Sequence, residues 1–179
     1  MGSVIPLKKE IDNSYLRLKN LVGDKLENVT QRIKYKLASE INLIHKMTDY
    51  HVRSGGKRIR PLLTLASAKL CGYKEGNRDV NLAACIELIH NATLLHDDVI
   101  DNSKLRRGIE TANSVWGNQS SILVGDYLFS RCFEMMVEDG SQEVLKLLSS
   151  TSSRIAQGEV LQLEHRGDVD LLEETYFNI

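Results

Sequence analysis

Apolar residues recur every three or four positions along most of this chain, which is the period of an amphipathic helix. Between residues 24 and about 53 they are Leu26, Val29, Ile33, Leu37, Ile41, Ile44 and Met47. The pattern predicts one continuous helix over that stretch. Ser54, Gly55 and Gly56 interrupt it, and Pro61 suits the first turn of a second helix that runs to about Leu70.

The rest of the chain continues at the same period. A long helix is predicted from Asp79, a candidate N-cap, to about Val99, and others over residues 120–136 and 142–163, with a last one beginning at Asp170. The polar and basic stretch 102–110 is predicted to be a loop. Strand-like alternation is absent from the sequence, so the predicted fold class is all-α. We expect a single domain over residues 1–179, a bundle of about seven helices.

Composition narrows the functional classes. The chain has 23 basic and 24 acidic residues and 6% aromatics, a balance that disfavours a nucleic-acid-binding surface. No apolar run is long enough to cross a bilayer, and the N-terminus lacks the apolar core of a signal peptide. Cys71, Cys85 and Cys132 are odd in number and widely spaced, which favours buried free thiols in a reducing compartment. A cytoplasmic location is expected, with peripheral membrane contact left open.

An acidic cluster holds the first candidate chemistry. Asp97 and Asp101 are four residues apart, so on a helix their carboxylates lie on one face. Two like charges there favour a bound cation, and Mg²⁺ typically takes one or two carboxylates together with substrate phosphates. Asp98 points away from that face, and His90 lies two turns earlier on it. A solvated acidic patch is the alternative, although acids near a helix C-terminus oppose the helix dipole.

Two basic segments accompany the acids. Gly55 and Gly56 precede three cations, Lys57, Arg58 and Arg60, at a predicted helix start, an arrangement suited to a diphosphate. Arg106 and Arg107 follow the acidic cluster and can pair bidentately with phosphate oxygens. Each segment alone is typical of an exposed loop. Together with the acids, they predict a site that binds two diphosphates beside a metal.

The combination of motifs resembles the trans-isoprenyl (polyprenyl) diphosphate synthases, in particular the N-terminal portion of the long-chain, octaprenyl-type members. The matching segments are GGKRIRP at 55–61, DDVID at 97–101, RRG at 106–108, VGDYLFSRCFEMM at 124–136 and GEVLQL at 158–163. The resemblance implies an all-α isoprenoid-synthase bundle around an apolar cavity, truncated at its C-terminus. It also implies a prenyltransferase that condenses isopentenyl diphosphate with an allylic diphosphate, for isoprenoid and quinone side-chain biosynthesis.

The resemblance assigns roles to individual residues. Lys57, Arg60, His90 and Arg107 would bind isopentenyl diphosphate. The carboxylates of Asp97 and Asp101 would hold Mg²⁺ on the allylic diphosphate, which Arg106 would also contact. Catalytic roles would fall to Asp97, Asp101, Arg106 and Lys57, usually in a homodimer.

Product length would be set below the metal. Ala92 lies five residues before Asp97, where short-chain members of the family carry a bulky aromatic residue, and Ile89 and Cys85 lie further along roughly the same side. A small residue there implies an open pocket and a long polyprenyl product. Close helix packing at Ala92 is the alternative interpretation.

One departure from the family pattern affects the expected activity. The family's second aspartate-rich motif and its lysine–threonine segment do not occur in this sequence. The chain is therefore expected to be weakly active or inactive alone, as a fragment or as one part of a split enzyme that pairs with the missing C-terminal half.

Two other functions remain open from the sequence. The first is a regulatory subunit that pairs with a complete synthase, although intact acidic and basic motifs argue against it. The second is an HD-type metal phosphohydrolase, suggested by His96 and Asp97 with His45, His51 and His90. That enzyme would bind a transition metal through imidazole and would leave both basic segments without a role.

Overall fold

The computed structural model describes residues 7–53 and 56–179. Within those ranges every regular element is a helix apart from one short hairpin, which confirms the all-α prediction. The helices are α1 (Leu7–Val22), α2 (Lys25–Lys36), α3 (Asn42–Arg53), α4 (Ile59–Leu70), α5 (Arg78–Ile100), α6 (Ala112–Trp116), α7 (Asn118–Asp139), α8 (Gln142–Glu164) and α9 (Glu173–Asn178).

The predicted helix over residues 24–53 is wrong in one respect, because the structure breaks it into α2 and α3. Helix α2 ends at Lys36 with Leu37 as its C-cap, and the chain is non-helical from there to Ile41. The Ile41 side chain is 60% exposed. Val29, Ile33 and Met47 are buried as their spacing predicts. Helix α1 was not predicted. The break at Ser54 and Gly55 lies outside the described residues.

The start of α5 also differs from the prediction. Asn77, not Asp79, occupies the N-cap position. Asp79 lies in the first turn, buried, where its carboxylate accepts from the Val80 amide and from Lys25 Nζ. The acid therefore fastens α2 to α5 instead of capping the helix.

Helices α5 and α7 pack along each other and form the centre of the core. Cys85 of α5 and Cys132 of α7 are both buried, and each thiol lies 3.7 Å from the other residue's carbonyl oxygen. Ser121 Oγ donates to the Leu95 carbonyl at 2.9 Å, which joins the same helices further along. The prediction of buried free thiols is confirmed for these two cysteines, whereas Cys71 is exposed.

The stretch predicted as a loop forms an antiparallel hairpin of β1 (Leu105–Arg106) and β2 (Ile109–Glu110). Arg106 pairs with Ile109, so the connection has two residues, Arg107 and Gly108, with φ of 55° and 81°. Positive φ at both positions is typical of the type I′ turn that matches strand twist. The loop prediction failed because an Arg-Gly pair is a weaker turn signal than Asn-Gly or Asp-Gly.

The chain divides into two compact units, the first ending at Asp139 and the second covering Gly140–Ile179. The second unit contains α8 and α9, which begin close to the predicted positions, and Ser141 caps α8 by accepting from the Val144 amide. Neither helix contains a buried residue, and large apolar side chains such as Leu147 and Phe177 are exposed. In the part of the chain that the structure describes, no helix combines the length and apolarity needed to span a membrane.

Candidate functional site

The first unit contains a cavity of about 510 Å³ where α2, α3, α4, α5 and the hairpin meet. Its described lining includes five cationic side chains, namely Lys57, Arg58, Arg60, Arg106 and Arg107. The other polar residues of the described lining are His51, Glu87, His90 and Asn91. The structure thus brings together the two basic segments that lie nearly fifty residues apart in sequence.

The segment before α4 is held in place from two sides. Tyr15 donates its hydroxyl to the Lys57 carbonyl at 3.1 Å. Arg58 adopts a left-handed conformation with φ of 48°, and its Nη1 donates to Thr30 Oγ1 of α2 at 2.8 Å. A non-glycine residue in that conformation is strained by about 1–3 kcal/mol and needs support from its surroundings. The bond to Thr30 provides such support.

Gly56 allows a close approach between the two basic segments. A Cβ atom at this position would lie 2.5 Å from Nη1 of Arg107. Any side chain at residue 56 would therefore displace the guanidinium. The glycine lets the flexible end of Arg107 lie against the backbone at this point.

The hairpin is fastened to α5 by a buried ion pair. Arg106 donates from Nε and Nη2 to the Asp98 carboxylate at 2.7–3.0 Å, and Asp98 is 1% exposed. The backbone carbonyl of Asp98 also accepts from the amide of Ser103 and from Asn113 Nδ2. Asp98 thus supports the site through Arg106, and this pairing engages the guanidinium edge formed by Nε and Nη2.

Two neutral imidazoles lie among the cations. Burial and then the charge of Arg60 lower the pKa of His90 to about 4. Burial and then the charge of Arg106 lower the pKa of His51 to about 4, although a hydrogen bond with the Asn91 side chain partly opposes the shift. At neutral pH both rings are therefore uncharged.

Asp97 and Asp101 lie at the C-terminal end of α5. The Asp101 amide donates to the Asp97 carbonyl at 2.8 Å, so the two residues lie one helical turn apart, as predicted. Among the described residues no group of three or more histidine, cysteine or acidic side chains could hold a metal. Two carboxylates one turn apart are a donor set that suits Mg²⁺ together with a phosphate ligand.

His96 points away from this site, towards α7. Its Nε2 lies 3.2 Å from the Ile122 carbonyl and 3.4 Å from the Asp126 carboxylate. A Cβ atom at Gly125 would overlap the imidazole ring, so the glycine of the VGDYLF segment makes room for His96. His96 is thus engaged in helix packing, and the HD-type interpretation finds no support.

The residues expected to set product length lie in α5. Ala92 and Cys85 are fully buried, and Ile89 is partly buried. Cys85 contacts Cys132 of α7. None of the three is among the described residues that line the cation cavity. Their role in chain length stays a prediction.

Three polar lining residues, His51, Glu87 and Asn91, were not assigned to this site from the sequence. Glu87, His90, Asn91 and Leu94 follow one another at helical spacing and all face the cavity. That spacing, taken from His90, could have identified Glu87 and Asn91. His51 comes from α3, and no local pattern places it beside α5.

The sequence of the chain is similar to those of known proteins. Residues 41–179 match the model of the polyprenyl synthetase family. The chain is 45% identical over 163 residues to the octaprenyl diphosphate synthase of Escherichia coli (strain K12), covering 91% of this chain and 50% of that protein. It is 34% identical to heptaprenyl diphosphate synthase component 2 of Geobacillus stearothermophilus, covering 88% of this chain and 49% of the relative.

Solved structures agree with the sequence matches. A polyprenyl synthase from Caulobacter crescentus CB15, complexed with calcium and isoprenyl diphosphate, superposes with a TM-score of 0.88 at 43% identity. The match covers 92% of this chain and 50% of that one. The chain therefore spans about half the length of the relatives it matches.

Proposed function

Because this chain belongs to the polyprenyl synthetase family, we propose that it takes part in the condensation of isopentenyl diphosphate with an allylic diphosphate to a long-chain trans-polyprenyl diphosphate. The observation that carries the proposal is the cavity in which five cationic side chains from two separate segments converge. Five cations outnumber the two acids beside them, Glu87 and Asp98, and such an excess of positive charge favours an anionic ligand with several oxygens.

Within that cavity, Lys57, Arg60 and Arg107 are proposed to bind the diphosphate of isopentenyl diphosphate. Neutral His90 adds a hydrogen-bond donor without adding charge. Arg106 is proposed to contact the allylic diphosphate while Asp98 fixes its orientation. In these roles the segment before α4 contacts isopentenyl diphosphate, and the hairpin contacts both diphosphates.

Asp97 and Asp101 are proposed to hold Mg²⁺ at the end of α5. When bound, the metal neutralises charge on the allylic diphosphate. The side chains of this chain then bind and orient both substrates. The arginines stabilise the diphosphate as the allylic C–O bond ionises, and the double bond of isopentenyl diphosphate attacks the resulting cation. A proton is then lost to the departing diphosphate.

We further propose that the working enzyme contains more than one copy of this chain or a second chain. The chain spans about half of its relatives, and the name of the Geobacillus stearothermophilus relative describes it as one component. In α8 and α9 the large apolar residues Leu147, Leu163 and Phe177 are exposed. A homodimer, or pairing with a polypeptide that corresponds to the other half of the relatives, would cover such surface. A cytoplasmic location stays a prediction.

Incorporation of labelled isopentenyl diphosphate into extractable prenyl product tests the proposal. Farnesyl diphosphate serves as primer, with Mg²⁺ in one arm and a chelator in the other. We expect incorporation that the chelator abolishes, weak with this chain alone. The variant Asp97→Asn/Asp101→Asn should lose it, whereas Asp24→Asn, an exposed acid elsewhere, should not. Hydrolysis of the diphosphates without condensation would instead favour the phosphohydrolase.

A further inference from the structure

Glu87 places a carboxylate inside the cation cavity. It lies on α5, one turn before His90, and lines the same space as Arg58, Arg60 and Arg107. Asp98, the other acid beside the cavity, is locked to Arg106. Within the described residues Glu87 has no such ion pair. An acid that faces an anion-binding cavity without a fixed partner interacts directly with any anion that binds there.

The surroundings of Glu87 already hold the pKa of its carboxyl above the ordinary value. Burial raises the pKa of the Glu87 carboxyl, and the charges of Arg58, Arg60 and Arg107 lower it without cancelling the effect. The arginines therefore support the carboxylate only in part. Anything that offsets their charge removes that support.

A bound diphosphate changes this balance in one direction. It carries several negative charges, and it would bind to the same arginines that stabilise the Glu87 carboxylate. A like charge nearby disfavours ionisation of a carboxyl group. A carboxylate would repel the diphosphate, whereas a carboxylic acid could donate a hydrogen bond to it.

We propose that Glu87 is a specificity-determining residue of the diphosphate site and binds the ligand as the neutral acid, its hydroxyl donating to a diphosphate oxygen. The proton comes from solvent, so binding takes up one proton at this residue. The inference rests on the proposed function, since it assumes that the cavity binds a diphosphate. The cavity then discriminates against ligands that cannot accept that hydrogen bond.

Other titratable groups face Glu87 and respond to the same ligand. They are His51 of α3, Lys57 and Arg58 before α4, Arg60 of α4, His90 of α5, and Arg106 and Arg107 of the hairpin. Offsetting the arginine charge would also raise the pKa of both imidazoles, although burial, the larger cause of their low pKa, would remain. The pH dependence of the unmodified chain is therefore composite, and the difference from a Glu87 variant isolates this residue.

The test measures binding of inorganic diphosphate to the 179-residue chain by calorimetry, with a chelator present to exclude metal effects. Glu87→Gln keeps the shape and a hydrogen-bond donor without the charge. We expect the variant to bind more tightly than the unmodified chain at about pH 8, by up to about tenfold for each unit by which diphosphate raises the Glu87 pKa, and we expect this advantage to be smaller at about pH 6. Glu75→Gln, an exposed control, should match the unmodified chain at both values.

Weaker binding by Glu87→Gln at both pH values would overturn the inference, because the carboxylate would then hold the arginines in place. Equal binding throughout would overturn it as well, and both results leave the proposed function standing. If the unmodified chain does not bind diphosphate, both the inference about Glu87 and the proposed function are contradicted. If the variant does not fold, carboxyl ¹³C NMR of the unmodified chain replaces it. The Glu87 titration midpoint must then rise when diphosphate is added, and a fall contradicts the proposal.

Discussion

The ion pair between Asp98 and Arg106 offers the sharpest test of how the site is held together. Asp98→Asn keeps the volume of the side chain and one oxygen but removes its charge. The Nε and Nη2 atoms of Arg106 would then face a neutral amide in place of a carboxylate. The hairpin would then be less firmly fixed to α5, and Arg107, which follows Arg106, would lose its position over Gly56.

The size of the effect follows from the exposure of the two partners. Breaking a buried ion pair by removing one member typically costs about 3–5 kcal/mol. The Asp98 side chain is 1% exposed, but that of Arg106 is 29% exposed, so water can solvate part of the guanidinium after the change. We therefore expect the free energy of unfolding to fall by about 2 kcal/mol, below the value for a fully buried pair.

Urea unfolding followed by circular dichroism measures the change, and tryptophan fluorescence reports locally. The single tryptophan, Trp116, lies edge-on to Tyr50 at 5.0 Å, and Tyr50 donates to the Glu110 carbonyl of the hairpin. The matched control is Asp139→Asn, which breaks another bidentate pair, with Arg78, outside the cavity. Inorganic diphosphate binding in the presence of a chelator is the second readout.

We expect Asp98→Asn to weaken diphosphate binding and Asp139→Asn to leave it unchanged. The control should also cost less stability, because the Arg78 side chain is 51% exposed. A double-mutant cycle with Arg106→Ala separates the pair from each residue's other contacts. A stability loss within about 0.5 kcal/mol of zero, with binding intact, would refute the reasoning that the pair positions the hairpin.

Three further changes test other parts of the structure. Gly125→Ala would stabilise an unhindered helix by about 1 kcal/mol. Here we expect urea unfolding to show that the free energy of unfolding falls by about 2 kcal/mol, because the added methyl group overlaps the His96 ring. The loss should shrink when His96 is also changed to alanine. Stability should fall as the pH drops from about 6.5 to about 4, since the unfolded chain protonates His51 before the native state does. His51→Asn should flatten that slope in a pH series of urea titrations, and an unchanged slope would argue against a buried neutral ring. Ala92→Phe should shorten the polyprenyl product in the incorporation assay, and products of unchanged length would remove Ala92 from the chain-length pocket.

The helices could be predicted from the sequence where the apolar spacing is regular and where capping or helix-breaking residues mark the helix ends. Helix α5 was predicted within a residue or two for that reason. The break between α2 and α3 was not, because Ile41 continues the apolar period although its side chain is exposed. Periodicity records which residues are apolar, and it cannot register that the backbone has stopped being helical.

The charged residues of the site could be predicted from the sequence, but the contacts that hold them in place could not. The resemblance pointed to Lys57 and Arg107 as substrate ligands, and the structure places both on one cavity. The pairing of Asp98 with Arg106 depends on a hairpin that turns the chain back towards α5, and no local pattern predicted that hairpin. His51 reaches the cavity from another helix, so its surroundings follow from tertiary packing alone.

At the turn of Arg107 and Gly108, the residue that would be best for the stability of the fold differs from the residue that the proposed function requires. Arg107 has φ of 55°, a conformation that asparagine, aspartate and glycine adopt with less strain than a long side chain does. Selection for stability alone would replace Arg107 with asparagine, which gives the most favourable sequence for such a turn. The chain retains a cation there instead, and proteins commonly accept such local strain where activity depends on it. A stabilised variant obtained by optimising turn residues would gain rigidity at this position and lose one of the five charges that define the cavity.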